Sequence, residues 1–272
     1  MTPTAAHAET SDAATPDAPT VLTGTDLVRA FGKTPALRGV SCAVRAGEIV
    51  AITGPSGSGK STLLLCLAGV LVPDAGEVNF GGQQISRMSE SERSRLRRTD
   101  LGVLFQFGQL VPELTVEENV ALPLLLGGAR RKAALRSASE WLDRFGVADL
   151  GERYPGELSG GQQQRAAVAR ALVTEPRVLF ADEPTGALDS LAGEQLLTQL
   201  TRVAKENGTA VLIVTHEAQV AAYAQREIAL WDGTVADDGL TSAPTAGARP
   251  GSRLFAEYDD SQPVGTFDDE KG

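Results

Sequence analysis

The run Gly54-Pro55-Ser56-Gly57-Ser58-Gly59-Lys60-Ser61 fills every fixed position of the pattern G-x-x-x-x-G-K-[ST]. The chemistry it offers is phosphate binding. Glycines let backbone N–H groups turn inward and approach phosphate oxygens closely. A helix opening beside Lys60 adds the partial positive charge of its N-terminus, roughly half an elementary charge. Lys60 is expected on the β and γ phosphates of a nucleotide. Ser61 would offer its hydroxyl oxygen to Mg²⁺, and Thr62 would reach the α phosphate. A chance glycine loop would not also have a short apolar strand before it and a helical pattern after it, as this one does.

A second chemical group stands at Val178-Leu179-Phe180-Ala181-Asp182-Glu183, an apolar strand ending in two carboxylates. In a parallel sheet, ligands gather at the carboxyl ends of the strands. Asp182 is expected there to hold Mg²⁺ through water, and Glu183 to act as the general base on an attacking water. Either acid alone could simply cap the turn before Pro184. Downstream of a complete phosphate loop, the pair reads as catalytic. His216 follows a third apolar strand, Ala210–Val214, so its position also favours function. The only other histidine, His7, sits in a polar N-terminal stretch and receives no role.

Residues 158–165 read Leu-Ser-Gly-Gly-Gln-Gln-Gln-Arg. Ser159 and Gln162 fit a capping box at a helix start, with Leu158 as its hydrophobic staple. A cap does not need two consecutive glycines, each of which costs about 1 kcal/mol in a helical turn. A backbone that must touch a phosphate does. Ser159, the Gly161 N–H and the helix N-terminus make a second anion site. The chain already has its own at Lys60, so the natural use of the second is to grip a γ-phosphate held by a partner chain.

On these motifs the chain resembles the nucleotide-binding subunits of ABC transporters over roughly residues 21–239. The resemblance carries further elements in order. Phe31 stands where the family has an adenine-stacking aromatic, usually Tyr; Phe keeps the π face and loses the hydroxyl. Gln106 matches the Q-loop glutamine, which binds Mg²⁺ and senses the transmembrane partner. Leu158, Ser159, Gly160, Gly161 and Gln162 match the signature that acts across the dimer. Ala187, Leu188 and Asp189 match the D-loop, and His216 the switch histidine on the γ-phosphate.

The resemblance implies an α/β fold: a P-loop NTPase (RecA-like) core with a mostly parallel sheet, an N-terminal antiparallel β subdomain and an inserted helical subdomain at about 107–165. It implies an ATPase with ATP and Mg²⁺, closing head to tail with a second copy, or a homologous subunit, around two ATP. It also implies a separate transmembrane permease as the recipient of the stroke. Leu104-Phe105-Gln106-Phe107, Leu114–Val120 and Asp182–Asp189 resemble most the branch of lipoprotein release and macrolide export. The alternatives are a division-associated relative of that branch and a soluble ABC ATPase of translation or DNA repair. The last usually has two cassettes or a long coiled coil, and this chain shows one cassette and no heptads. A P-loop kinase would leave the signature, Gln106 and His216 unexplained.

Composition is consistent with this reading. The 272 residues are 42% hydrophobic, enough for a sizeable core, and carry a net charge of -10. An acidic chain is a poor sequence-independent nucleic-acid binder. Cys42 and Cys66 have no metal-ligand spacing and suggest a reducing compartment. The first 20 residues lack the basic start and apolar centre of a signal peptide. No apolar run approaches the roughly 20 residues needed to span a bilayer. A cytoplasmic protein is expected, lying on the inner face of the membrane through the permease alone.

The elements that must position these residues can be read from periodicity. Strands are expected around Val21–Val28 and Val40–Val44, and at Ile49–Thr53, Leu101–Phe105, Val178–Ala181 and Ala210–Val214. A hairpin, Ile228–Leu230 with Thr234–Ala236, turns at Asp232-Gly233. Helices are expected at Gly59–Ala68, Val116–Leu126, Arg131–Phe145 and Gln162–Leu172. Leu122–Leu126 reads as packed core, and the edge around Phe107, Leu110 and Pro112 as the groove for the permease. Arg93, Arg95, Arg97 and Arg98 read as a solvated helix face. Residues 1–20 and 240–272 are polar and acidic, and are expected to be disordered tails.

Overall fold

The computed structural model describes residues 18–106 and 109–236. Both expected tails fall almost wholly outside that range, as does Phe107. The first sheet is antiparallel. β1 (Thr20–Phe31) lies between β2 (Thr34–Arg45) and β4 (Ala75–Phe80), and β5 (Gln83–Gln84) extends the edge. Both early strands are longer than their apolar centres suggest, because they pair with each other to the hairpin tip at Phe31 and Thr34. The apolar pattern does not announce β4 and β5: Ala75–Phe80 offers only Val78 and Phe80 as buried residues.

The second sheet has six strands in the order β10-β9-β3-β8-β7-β6. These are β3 (Ile49–Thr53), β6 (Leu101–Leu104), β7 (Val178–Asp182), β8 (Ala210–Val214), β9 (Arg226–Trp231) and β10 (Thr234–Val235). All neighbours are parallel except β10, which returns antiparallel on β9. The middle strands read as unbroken apolar runs because both faces are covered. On β7, Val178 and Phe180 enter one core while Leu179 and Ala181 enter the other. On β8, Ala210, Leu212 and Val214 alternate in the same way with Val211 and Ile213. The first core lies toward α1 (Lys60–Leu67) and the antiparallel sheet.

The second core lies toward the helices. α3 (Val116–Leu126), α4 (Arg131–Arg144) and α5 (Gly160–Leu172) pack together, and α6 (Ser190–Asn207) lies along the sheet. Among the described residues three α-helices start with complete capping boxes: Ser89 with Glu92 on α2 (Glu90–Thr99), Thr115 with Glu118 on α3, and Ser159 with Gln162 on α5. A short α7 (Ala218–Ala221) follows His216. α6 adds a helix to those expected from periodicity, and its Leu196, Leu197, Leu200, Val203 and Ala204 repeat at helical spacing and are buried.

Two expectations need correction. α5 starts at Gly160 rather than Gln162, so both glycines of the octapeptide lie inside its first turn. Leu122–Leu126 is not all core. Leu124 and Leu125 pack inward, whereas Leu126 is 62% exposed and lines a surface groove with Leu122 and Pro123. Five consecutive apolar residues cover more than one face of a helix, and the core takes only one.

Candidate active site

The phosphate loop leaves β3 at Thr53 and turns into α1. Gly54, Gly57 and Gly59 take φ of 138°, 80° and 101°, where L side chains are strained. A Cβ on Gly54 would stand 2.0 Å from the Leu230 carbonyl oxygen, and one on Gly59 2.3 Å from that of Ala36. Those two glycines let the loop pack against β9 and β2. A Cβ on Gly57 would meet nothing within 4 Å, because that residue lines the open cleft. Pro55 and Ser58 complete the loop, and the Gly233 N–H donates to the Ser58 carbonyl at 3.0 Å. Lys60 is only 8% exposed. Its Nζ arches back to donate to the carbonyls of Gly54 and Pro55 at 2.9 and 2.8 Å. Both acceptors are neutral, so the ammonium charge is left for an anion.

The carboxyl ends of β7 and β8 supply the other wall. Ser61 Oγ donates to Asp182 Oδ1 at 3.2 Å, joining the loop to the acidic strand end. Burial pushes the Asp182 carboxyl above the usual carboxylate range. The Ser61 hydrogen bond opposes this, the adjacent Glu183 charge adds to it, and Lys60 opposes it. Glu183 has a left-handed backbone, φ 47°, and its N–H donates to the Val214 carbonyl at 2.9 Å. His216 Nδ1 donates to Glu183 Oε1 at 2.7 Å. Glu183 Oε2 is buried with no partner among the described residues. The Glu183 hydrogen bond raises the His216 pKa above the ordinary histidine value, and the charges of Glu183 and then Glu217 push the same way.

Ser56, Gly57, Gly59, Lys60, Ser61, Thr62, Gln106, Asp182, Glu183, Val214 and His216 together line one cleft of about 540 Å³. The fold thus brings into one place residues spread across most of the described chain. Ser61, Asp182 and Gln106 offer a hydroxyl, a carboxylate and an amide oxygen, a hard donor set that suits Mg²⁺.

Not every expected residue lines this cleft. Phe31 sits in the antiparallel sheet, 51% exposed, with the Arg29 guanidinium 5.3 Å from its ring centroid. The octapeptide also stands outside the cleft. Ser159 Oγ accepts from the Gln162 N–H at 3.3 Å, and Gln162 Oε1 accepts from the Ser159 N–H at 2.9 Å, while Leu158 is buried beneath them. Ala187-Leu188-Asp189 lies alongside: a Cβ on Gly161 would be 3.1 Å from Leu188 Cδ2, and one on Gly160 3.6 Å from the Ala187 carbonyl oxygen. Asp189 caps α6, accepting from the Ala192 N–H at 2.8 Å.

Two further residues stand at this end of the sheet. Glu217 brings its carboxylate within 4.8 Å of the ligating atoms of Glu183 and His216. Gln164 is buried, with its Nε2 donating to the Pro184 carbonyl at 2.8 Å. The one available signal was position, beside His216 and within the glutamine run respectively.

Comparison with known proteins shows the family. A family model described as ABC transporter matches residues 37–186. The chain is 42% identical over 217 residues to the lipoprotein-releasing system ATP-binding protein LolD of Geobacter metallireducens, covering 78% of this chain and 96% of that protein. It is 46% identical over 199 residues to the macrolide export ATP-binding/permease protein MacB of Shigella flexneri, covering 73% of this chain but 31% of that protein. Among solved structures, a dimeric ATP-binding cassette in a post-hydrolysis state bound to ADP and Pi superposes with a TM-score of 0.75 at 37% identity, covering 79% of this chain and 97% of that one. A complete phosphate loop, a paired acidic strand end, a histidine on that pair and this degree of likeness assign the chain to the ABC transporter family, as an ATP-hydrolysing cassette of the kind found in LolD and MacB.

Proposed function

We propose that two copies of this chain close head to tail around two ATP molecules and hand the resulting stroke to a separate membrane permease. One observation carries the dimer. The first-turn amides of α5 at Gly160 and Gly161 have no acceptor within their own helix, as for any helix start, yet the segment stands outside the cleft that holds Lys60. A second copy turned head to tail would bring these amides, with Ser159 and Gln162, to the γ-phosphate held by the first. Leu188 and Asp189 would lie in the same interface. The dimeric cassette among the structural relatives supports the arrangement.

Within each cleft, Lys60 holds the β and γ phosphates, and Thr62 reaches the α phosphate. Ser61, Asp182 and Gln106 hold Mg²⁺, which when bound neutralises developing phosphate charge. Glu183 orients and polarises the attacking water, and its buried Oε2 is the free acceptor. His216 leaves Glu183 Oε1 for the γ-phosphate. Phe31 stacks on the adenine from the antiparallel sheet. The Glu183→Gln variant tests the reading: turnover should fall about 10²–10⁴-fold, the scale of a lost general base, while ATP drives it into dimers on a sizing column. An ATP-loaded variant that stays monomeric would overturn it.

The permease would dock in a groove of about 400 Å³ lined by Phe105, Gln109, Leu122, Pro123 and Leu126, with Arg97, Arg98 and Arg170 at its edge. This is adjacent to the edge inferred from sequence, where Leu110 proves to be packed against the core. No helix among the described residues is long and apolar enough to cross a membrane. In this reading the chain meets the membrane only through the permease, on its inner face, and LolD and MacB support release or export as the task. Copurification from solubilised membranes tests the partner. Recovery only with ribosomes or DNA would overturn it.

A further inference from the structure

Gln164 is 1% exposed, on the face of α5 turned toward the end of β7. The residues that share its buried side of the helix are apolar, with Ala166, Ala167, Val168, Ala169, Ala171 and Leu172 all buried. Its Nε2 donates to the Pro184 carbonyl at 2.8 Å, while its Oε1 is buried with no partner among the described residues. A half-satisfied buried amide is a worse choice for packing than an apolar side chain of the same length. Its donor must therefore serve something other than packing.

The acceptor it meets is informative. Pro184 follows Glu183, whose backbone is held in the left-handed region, so the Glu183–Pro184 segment has a conformation that must be imposed from outside. The Glu183 N–H is held by Val214 on one side, and the Pro184 carbonyl by Gln164 on the other. Gln164 lies two residues past Gln162, one turn from the octapeptide's glycines. The same hydrogen bond therefore ties the helix that carries Ser159 and Gly161 to the segment that carries the general base.

We infer that Gln164 is a positioning residue. Its amide fixes the carbonyl beside Glu183 and joins the segment that serves the partner's ATP to the base that serves the chain's own. This rests on the head-to-tail reading above. An ATP-dependent shift of α5 in the interface would be transmitted to Glu183 through one polar contact, and each site would be set for hydrolysis only when the other is engaged.

The test uses the full chain and Gln164→Met, which keeps length and burial and removes the donor. Val168→Ala, buried on the same helix, serves as a control for lost packing. The expected result is a fall in kcat of about ten- to a hundred-fold, the scale of a slightly misplaced catalytic group. KM for ATP should stay within about twofold, and Gln164→Met combined with Glu183→Gln should still form ATP-dependent dimers. The Val168→Ala variant should lose melting temperature yet keep kcat within about threefold. A Gln164→Met kcat within twofold of the parent, or an equal loss in Val168→Ala, would overturn the inference. So would a double variant that fails to dimerise, since Gln164 would then serve assembly. If Glu183→Gln alone stays monomeric with ATP, the dimer reading itself falls and takes the coupling with it.

Discussion

His216 Nδ1 and Glu183 Oε1 meet at 2.7 Å across the ends of adjacent parallel strands, β8 and β7. The contact joins a side chain that is two-thirds exposed to one that is nearly buried. It leaves the second carboxylate oxygen of Glu183 enclosed and unpaired. The proposed general base thus shares one carboxylate oxygen with the proposed γ-phosphate histidine and keeps the other for a further donor.

That pairing gives a pH signature. The folded pKa of His216 is raised, chiefly by its hydrogen bond to Glu183. The stabilisation is fully present below the ordinary histidine value of about 6.5 and is lost as pH rises through the higher folded value. The gap in melting temperature between parent and His216→Gln should be wider at pH 6 than at pH 9, and should narrow with added salt. A gap independent of pH would show that the pair contributes no charge-dependent stability.

Asp182 should show the opposite balance between stability and function. Its carboxyl pKa is raised, mainly by burial. The ionised form is therefore disfavoured in the fold, and its cost is relieved as pH falls through the raised value. Asp182→Asn should raise the melting temperature of the nucleotide-free chain at pH 7 by a few degrees, about 2–4 °C for each kcal/mol gained. It should also lower ATP turnover about a hundredfold or more, the scale of losing one preorganised electrostatic group. Calorimetry and a phosphate-release assay read the two effects, and an unstable variant would contradict the stability half.

The loop glycines separate packing from ligand access. Gly54→Ala meets the Leu230 carbonyl and should destabilise by about 2–5 kcal/mol, combining left-handed strain with overpacking. Gly57→Ala meets no atom and should cost only about 1–2 kcal/mol of strain. Its Cβ still enters the cleft, so nucleotide affinity should fall while the chain remains folded. Urea denaturation beside a nucleotide-binding titration distinguishes the two, and equal stability losses would refute the distinction.

The capping boxes supply a matched pair. Ser89→Ala on α2 and Ser159→Ala on α5 each remove a cap with the same geometry, worth about 1 kcal/mol. Ser89→Ala should keep turnover within about twofold. Ser159→Ala should lower it at least about tenfold, since one charge-assisted contact to phosphate is worth more than 1.4 kcal/mol. Equal turnover in the two would reduce Ser159 to a cap.

Sequence alone was enough to pick out the residues of the cleft wherever they stand in a contiguous pattern. Gly54–Ser61 is legible because phosphate binding uses consecutive backbone amides, and Asp182 with Glu183 because a buried parallel strand is an unbroken apolar run. β4 and α6 lie outside such patterns. The first has few buried residues. The second has a clear helical repeat, but its role is to cover the sheet and it carries none of the motifs.

The tertiary structure decided what depends on meeting across the chain. Periodicity cannot tell which of Leu122–Leu126 the core leaves for the surface groove. Nor can it say that the Gln164 amide ends at Pro184, that His216 holds Glu183, or that the octapeptide stands apart from the cleft it resembles in chemistry. These are distances between residues far apart in sequence, set by strand order and by helix packing over two buried faces. Local residue type determined that this chain binds phosphate. The order of the strands determined which acid, which histidine and which glutamine share one cleft, and that the octapeptide stands outside it.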